Sequence, residues 1–293
     1  MSDVLIVGAG FIGTWAAREL NVSGYNVTAL DRDLALGYYT RFSGLDASSA
    51  KALGEDWRSD LQEVLISKEW AAVINSSMPG ANMTDGPVET IIRVLNGNVR
   101  LVHVSSLAVY GLQTTTLKED GPVAPRTDYG RAKLAEEQLI MSHFSNHCIL
   151  RTCGLYGPIR FGRGSRSARF IDTMLRRALA HGTISLSGHP EWWDEYLYVQ
   201  DLARAIGLAA SASIGDERIV NIGAGDTSNI DDIAAVLRAV VSACDVQLKY
   251  QPITCNPLPP LDISRARRLL GFSPEYSLID GLRECAAFIR GVS

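Results

Sequence analysis

Val4-Leu-Ile-Val-Gly8-Ala-Gly10-Phe-Ile-Gly13 decides how this chain folds. Four apolar residues in a row suit a strand buried on both faces, and the glycines then follow at the G-x-G-x-x-G spacing, with a helical pattern beyond them over 11–22. In that setting each glycine has its own task. Gly8 allows the tight turn, Gly10 lets the backbone approach a pyrophosphate, and Gly13 lets the helix pack closely. The N-terminus of the helix, with Phe11 and Ile12 in its first turn, faces the anion.

Outward from this stretch, short apolar runs alternate with helical patterns. Asn26–Leu30, Ala71–Asn75, Val99–Val104 and Cys148–Arg151 read as strands; 57–67, 85–96 and 129–144 read as helices. Such alternation predicts an α/β chain with a doubly wound, parallel Rossmann sheet. After Pro158 the texture changes to an Arg- and Gly-rich stretch, a helix near 166–181, strands at Arg218–Ile222 and Gln247–Tyr250 around a helix near 229–243, and a closing helix at 278–290. The reading is a dinucleotide-binding Rossmann domain over 1–157. Residues 158–293 form mainly a smaller substrate-binding subdomain, with some segments returning to the sheet.

The apolar share of 46% and charged share of 20% are those of an ordinary globular chain of 293 residues. A net charge of −4 gives no pull toward nucleic acid or an acidic membrane, and no run of about 20 apolar residues suggests a span. Five scattered cysteines form no CxxC pair, which argues against a disulfide framework or zinc site and fits a reducing, cytoplasmic setting. The histidines share no metal-ligand spacing, and His103, inside an apolar strand, reads as a core residue. Small molecules are the expected partners.

Asp31 closes the second strand, where a carboxylate accepts the ribose hydroxyls of NAD and repels the 2′-phosphate of NADP. Arg32 beside it would pair with that phosphate, so NADP is the weaker alternative. Ser105 and Ser106 end an apolar strand, on the edge where open α/β sheets bind ligands. Tyr129 and Lys133 lie four apart on a helix, so one face presents a phenol and an ammonium that favours the phenolate. Arg160, Arg163, Arg166 and Arg169 recur every three residues and would gather on an anionic group of a substrate, or simply be solvated. Trp192 would stack on a sugar or base, or pack in a core.

Gly8–Gly13, Ser105-Ser-Leu-Ala-Val-Tyr-Gly111, Tyr129-x-x-x-Lys133 and Leu150-Arg-Thr-Cys-Gly-Leu-Tyr-Gly-Pro158 together resemble the extended short-chain dehydrogenase/reductases of the NAD-dependent epimerase/dehydratase family. The likeness runs on through Tyr198-Val-Gln-Asp201 and Val220-Asn-Ile-Gly223. The resemblance implies that Ser106 holds the substrate oxygen, Tyr129 moves its proton, and Lys133 holds the nicotinamide ribose. It further implies that Asp46 and Ala47 meet the adenine and that Ser76, Ser77 and Met78 line the cofactor. The implied substrate is a sugar or nucleotide-sugar, and the implied assembly is a homodimer through the 85–96 and 129–144 helices. Dehydratases of the family carry Asp-Glu after the serine or threonine. Here Leu107-Ala108 stand there, which favours epimerase or ketoreductase chemistry. Many sugar-nucleotide members have a diphosphate-binding arginine where this chain has Asp194. The alternative reading is a non-catalytic NAD(P)-binding sensor or scaffold with the same fold.

Overall fold

The computed structural model describes residues 1–79, 86–95, 97–159, 164–242, 244–252 and 259–291. Its first half alternates β1 (Asp3–Val7), α1 (Phe11–Val22), β2 (Asn26–Asp31), α2 (Leu36–Ser43), β3 (Ala50–Ala52), α3 (Trp57–Ile66), β4 (Ala72–Asn75), α4 (Pro87–Val94), β5 (Arg100–Ser106), α5 (Asp128–His143) and β6 (His147–Thr152). The second half holds β7 (Gly154–Tyr156), α6 (Arg166–His181), β8 (Thr183–Gly188), β9 (Tyr196–Tyr198), α7 (Val199–Ser211), β10 (Ile219–Ile222), α8 (Ile230–Val240), β11 (Asp245–Tyr250), α9 (Ser264–Leu270) and α10 (Leu278–Arg290).

Seven parallel strands form the main sheet in the order β10-β6-β5-β4-β1-β2-β3. Both faces of its central strands are covered, which is why their sequences are continuously apolar. On one face Ala16 and Leu20 of α1 meet Ile206 and Ala209 of α7; on the other Leu61 of α3, Ile91 of α4 and Ile140 of α5 pack under Leu5, Leu30 and Leu101. The chain winds one way from β1 through β2 to β3 and the other way from β4 through β5 to β6. The crevice at the carboxyl ends of β1 and β4 is therefore the switch point where such sheets take ligands.

A second core lies among α6, α8, α10 and the small sheets β8–β11 and β7–β9, with Ile171, Leu175, Leu186, Leu237 and Leu282 inside it. Seven elements go beyond the sequence reading: α2, β3, β7, β8, β9, α7 and α9. β3 has only three residues, and α7 is buried along most of its length, with Val199, Leu202, Ile206 and Ala209 all inaccessible, so neither shows a clean period. The helix expected over 85–96 begins at Pro87, a residue suited to a first helical turn; 85 and 96 lie outside the described residues.

Candidate active site

The switch-point crevice opens into a cavity of about 940 Å³, lined by the ends of β1, β2, β4, β5 and β6 and by the start of α6. At its floor the glycine turn is fixed by close packing. Gly8 has φ of +100°, and a Cβ there would lie 2.7 Å from the Ser77 backbone nitrogen. A Cβ on Gly13 would sit 2.0 Å from the Gly8 carbonyl oxygen, so α1 rests directly on the turn. Gly10 is different. The nearest atom to its absent side chain is Asp31 Oδ2 at 3.7 Å, and as the N-cap of α1 it leaves the first-turn N–H groups without a side-chain cap. Open space at exposed helix donors is what a pyrophosphate requires.

Asp31 sits on the cavity wall and accepts the Asp33 N–H at 2.8 Å, while burial pushes its carboxyl above the usual carboxylate range. Arg32 lines the same wall, with its guanidinium 5.3 Å over the ring of Trp57. Ser76 ties the two central strands together: its N–H donates to the Val7 carbonyl at 2.9 Å and its hydroxyl to the Gly8 carbonyl at 2.8 Å. Ser77 and Met78 follow it along the wall.

Ser106 ends β5 and caps the short 3-10 turn 107–109, accepting the Ala108 N–H at 3.2 Å. Thr127 caps α5 through the Gly130 N–H at 3.0 Å. A Cβ on Gly130 would lie 2.6 Å from the Ala108 carbonyl oxygen, so the start of α5 presses against the turn that carries Ser106. Tyr129, 37% exposed, and Lys133, buried one turn later, line the same cavity as Ser106. Sequence positions 106, 129 and 133 are thus brought together.

Behind Lys133 runs a buried chain of polar contacts, in which both Glu136 oxygens and His103 Nε2 lack a hydrogen bond. Its Nζ donates to the Ser77 carbonyl at 3.2 Å and pairs with Glu136 Oε2 at 3.0 Å. Ser77 donates its N–H and hydroxyl to Asn75 Oδ1 at 3.2 and 2.7 Å. With its oxygen so occupied, the Asn75 amide donates to His103 Nδ1 at 3.1 Å, which places the proton of the neutral imidazole on Nε2, 3.5 Å from Glu136 Oε2. Burial holds His103 well below its ordinary pKa, with the Lys133 cation adding to the effect. The same burial pushes the Glu136 carboxyl up, while Lys133 pulls it down.

Several expected residues stand elsewhere. Asp46 and Ala47 are exposed at the turn before β3, outside the cavity lining, because the chain must run through β3 before it reaches the crevice; Leu53 and Trp57 line it there. Gly13 lies under the turn and does not line the cavity. Ser105 reaches the lining, but its hydroxyl donates to the buried Glu137, which also takes a two-pronged contact from Arg151 at 2.7 to 3.2 Å. Trp192 lines an adjoining cavity of about 490 Å³; Arg166 and Asp194 line both. Burial raises the Asp194 carboxyl, with Arg166 pulling the other way. Arg160 and Arg163 lie outside the described residues. Among the described residues no group of three or more His, Cys, Asp or Glu side chains is placed to hold a metal ion, and no helix is long and apolar enough to cross a membrane.

Residues 4–223 match the model of the NAD dependent epimerase/dehydratase family. The chain belongs to that family. Among its relatives, the low-salt glycan biosynthesis protein Agl12 of Haloferax volcanii is 27% identical over 316 residues, covering 99% of each chain. A UDP-glucose 4-epimerase of Mycolicibacterium smegmatis is 25% identical over 320 residues, covering all of both. The solved structure of MoeE5 in complex with UDP-glucose and NAD aligns with a TM-score of 0.76 at 26% identity, covering 99% of this chain and 100% of that one. The cofactor of the family is NAD, and the glycine cradle and Asp31 fit a dinucleotide.

Proposed function

We propose that this enzyme uses NAD to transfer hydride at a secondary alcohol or ketone of a sugar or nucleotide-sugar, as an epimerase or as a dehydrogenase or ketoreductase. The reading is carried by one observation: Ser106, Tyr129 and Lys133 line the same cavity as the glycine turn and Asp31. MoeE5, bound to UDP-glucose and NAD, supports the substrate class. NAD, once bound, supplies or takes up the hydride. The Tyr129 hydroxyl moves the proton at the reacting oxygen, and the Ser106 hydroxyl donates a hydrogen bond to that oxygen and orients it. Lys133 holds the ribose of the cofactor and presents its cation toward Tyr129. Leu107 and Ala108, on the cavity wall after Ser106, offer no acid or base for eliminating water, so we set dehydration aside. We place the enzyme in the cytoplasm and pair it as a homodimer through α4 and α5, a face where Met141 is 43% exposed.

Replacing Tyr129 with Phe tests the reading. Turnover with candidate sugars and UDP-sugars, followed as NADH formation or loss for a dehydrogenase or ketoreductase and as conversion of one epimer into the other for an epimerase, should fall by about 10²- to 10⁴-fold with NAD affinity kept. Unchanged turnover would defeat it.

A further inference from the structure

The carboxylate of Glu136 has no place among the groups that line the cavity, yet it is 4% exposed, in a place where an acid is costly to bury. Its surroundings show what balances it. On its own helix it meets Lys133 at 3.0 Å; from β5 it faces His103, whose Nε2 is 3.5 Å away. Its neighbour Glu137 is engaged by Arg151 and Ser105, which among the described residues leaves Glu136 to answer Lys133. His103 is held neutral by its burial and by the amide of Asn75, so the charged partners in this pocket are one ammonium and one carboxylate. Lys133 is only 2% exposed, and water screens the pair little.

We propose that Glu136 is a positioning residue for the hydride-transfer site: as the counter-ion of Lys133 it locks the ammonium against the Ser77 carbonyl and offsets part of its charge at Tyr129. The charge that Tyr129 faces is then that of an ion pair and not of a lone cation. This rests on the proposed roles of Tyr129 and Lys133. Removing the carboxylate leaves the cation unbalanced beside the phenol and favours the phenolate.

The test is an ultraviolet titration of phenolate absorbance on NAD-loaded protein, each sample read against its own Tyr129→Phe counterpart so that only Tyr129 contributes. Glu136→Gln should move the midpoint to lower pH by about half a unit or more, and Glu136→Asp, which keeps the charge, by less than half of that shift. A smaller or alkaline displacement in Glu136→Gln, or an equal one in Glu136→Asp, overturns the proposal. Urea unfolding reports that each variant is folded, and Glu136→Ser carries the same test if the Gln variant does not fold. The titration needs no substrate, so its failure is separate from that of the hydride-transfer reading, which Tyr129→Phe turnover decides.

Discussion

The cavity has two unlike walls. One is made of strand ends and the helices seated on them: Gly8 to Gly13, Ser76 to Met78, Ser106 and the first turns of α5. Contacts there are close, as the 2.0 Å available to a Gly13 Cβ and the contacts of Lys133 Nζ with Ser77 and Glu136 show. The other is the start of α6 and the segment around Asp194, held by the Ser165 cap, by the two-bond bridge from Asp194 to Ser228 and by the N–H groups of Gly225 and Leu261 on the neighbouring Glu195 carboxylate. The proposed hydride chemistry would sit on the first wall, while the part of the substrate that varies between family members would face the second. One wall for the common step and another for recognition is an arrangement that lets one fold serve many substrates.

This contrast can be broken from either side. The largest effect is expected at Glu137: its replacement by Ala leaves the buried Arg151 guanidinium without its carboxylate and should cost about 3 to 5 kcal/mol in urea unfolding. Gly13→Ala comes next, at about 2 to 3 kcal/mol with loss of NAD binding, because the methyl meets the Gly8 carbonyl. Gly10→Ala should fold normally and weaken only the cofactor. If both glycines tolerated alanine equally, the first wall would not be the closely packed one.

A pH effect follows in size. His103 is depressed in the folded chain, so its contribution is intact above the unfolded pKa near 6.5 and is lost as pH falls below it, when only the unfolded chain takes up the proton. Between pH 6.5 and 5.5 that loss is about 1 kcal/mol, and His103→Gln should flatten the slope by up to that amount. Equal slopes in the two proteins would mean that the imidazole titrates freely. On the second wall, Ser165→Ala removes the cap of α6 and should cost only about 1 kcal/mol, with NAD affinity unchanged.

The first wall was also the legible one. Glycine spacing, Asp31 at a strand end, and a Tyr and Lys four apart are local signals, and the sheet order that joins them follows from strand and helix alternation. What escaped were partners contributed across the fold. Glu136 looks like any solvated helix acid until β5 brings His103 against it, and the only hint was its three-residue spacing from Lys133. Leu53 and Trp57, and not Asp46 and Ala47, line the cavity beyond β3, a strand too short to announce itself. Around α6 the arginine spacing described a charge pattern without saying where it would point; Arg166 and Arg169 line the main cavity, and Arg166 the adjoining one as well.

A crystal structure of the protein grown with NAD addresses the central claim most directly. The account places the pyrophosphate at the Gly8–Gly13 turn, the adenosine ribose on Asp31 and the nicotinamide ribose on Lys133, with Tyr129 and Ser106 both within hydrogen-bonding reach of one site beside the nicotinamide ring. Density for the dinucleotide elsewhere, or a nicotinamide remote from Tyr129 and Ser106, would contradict it.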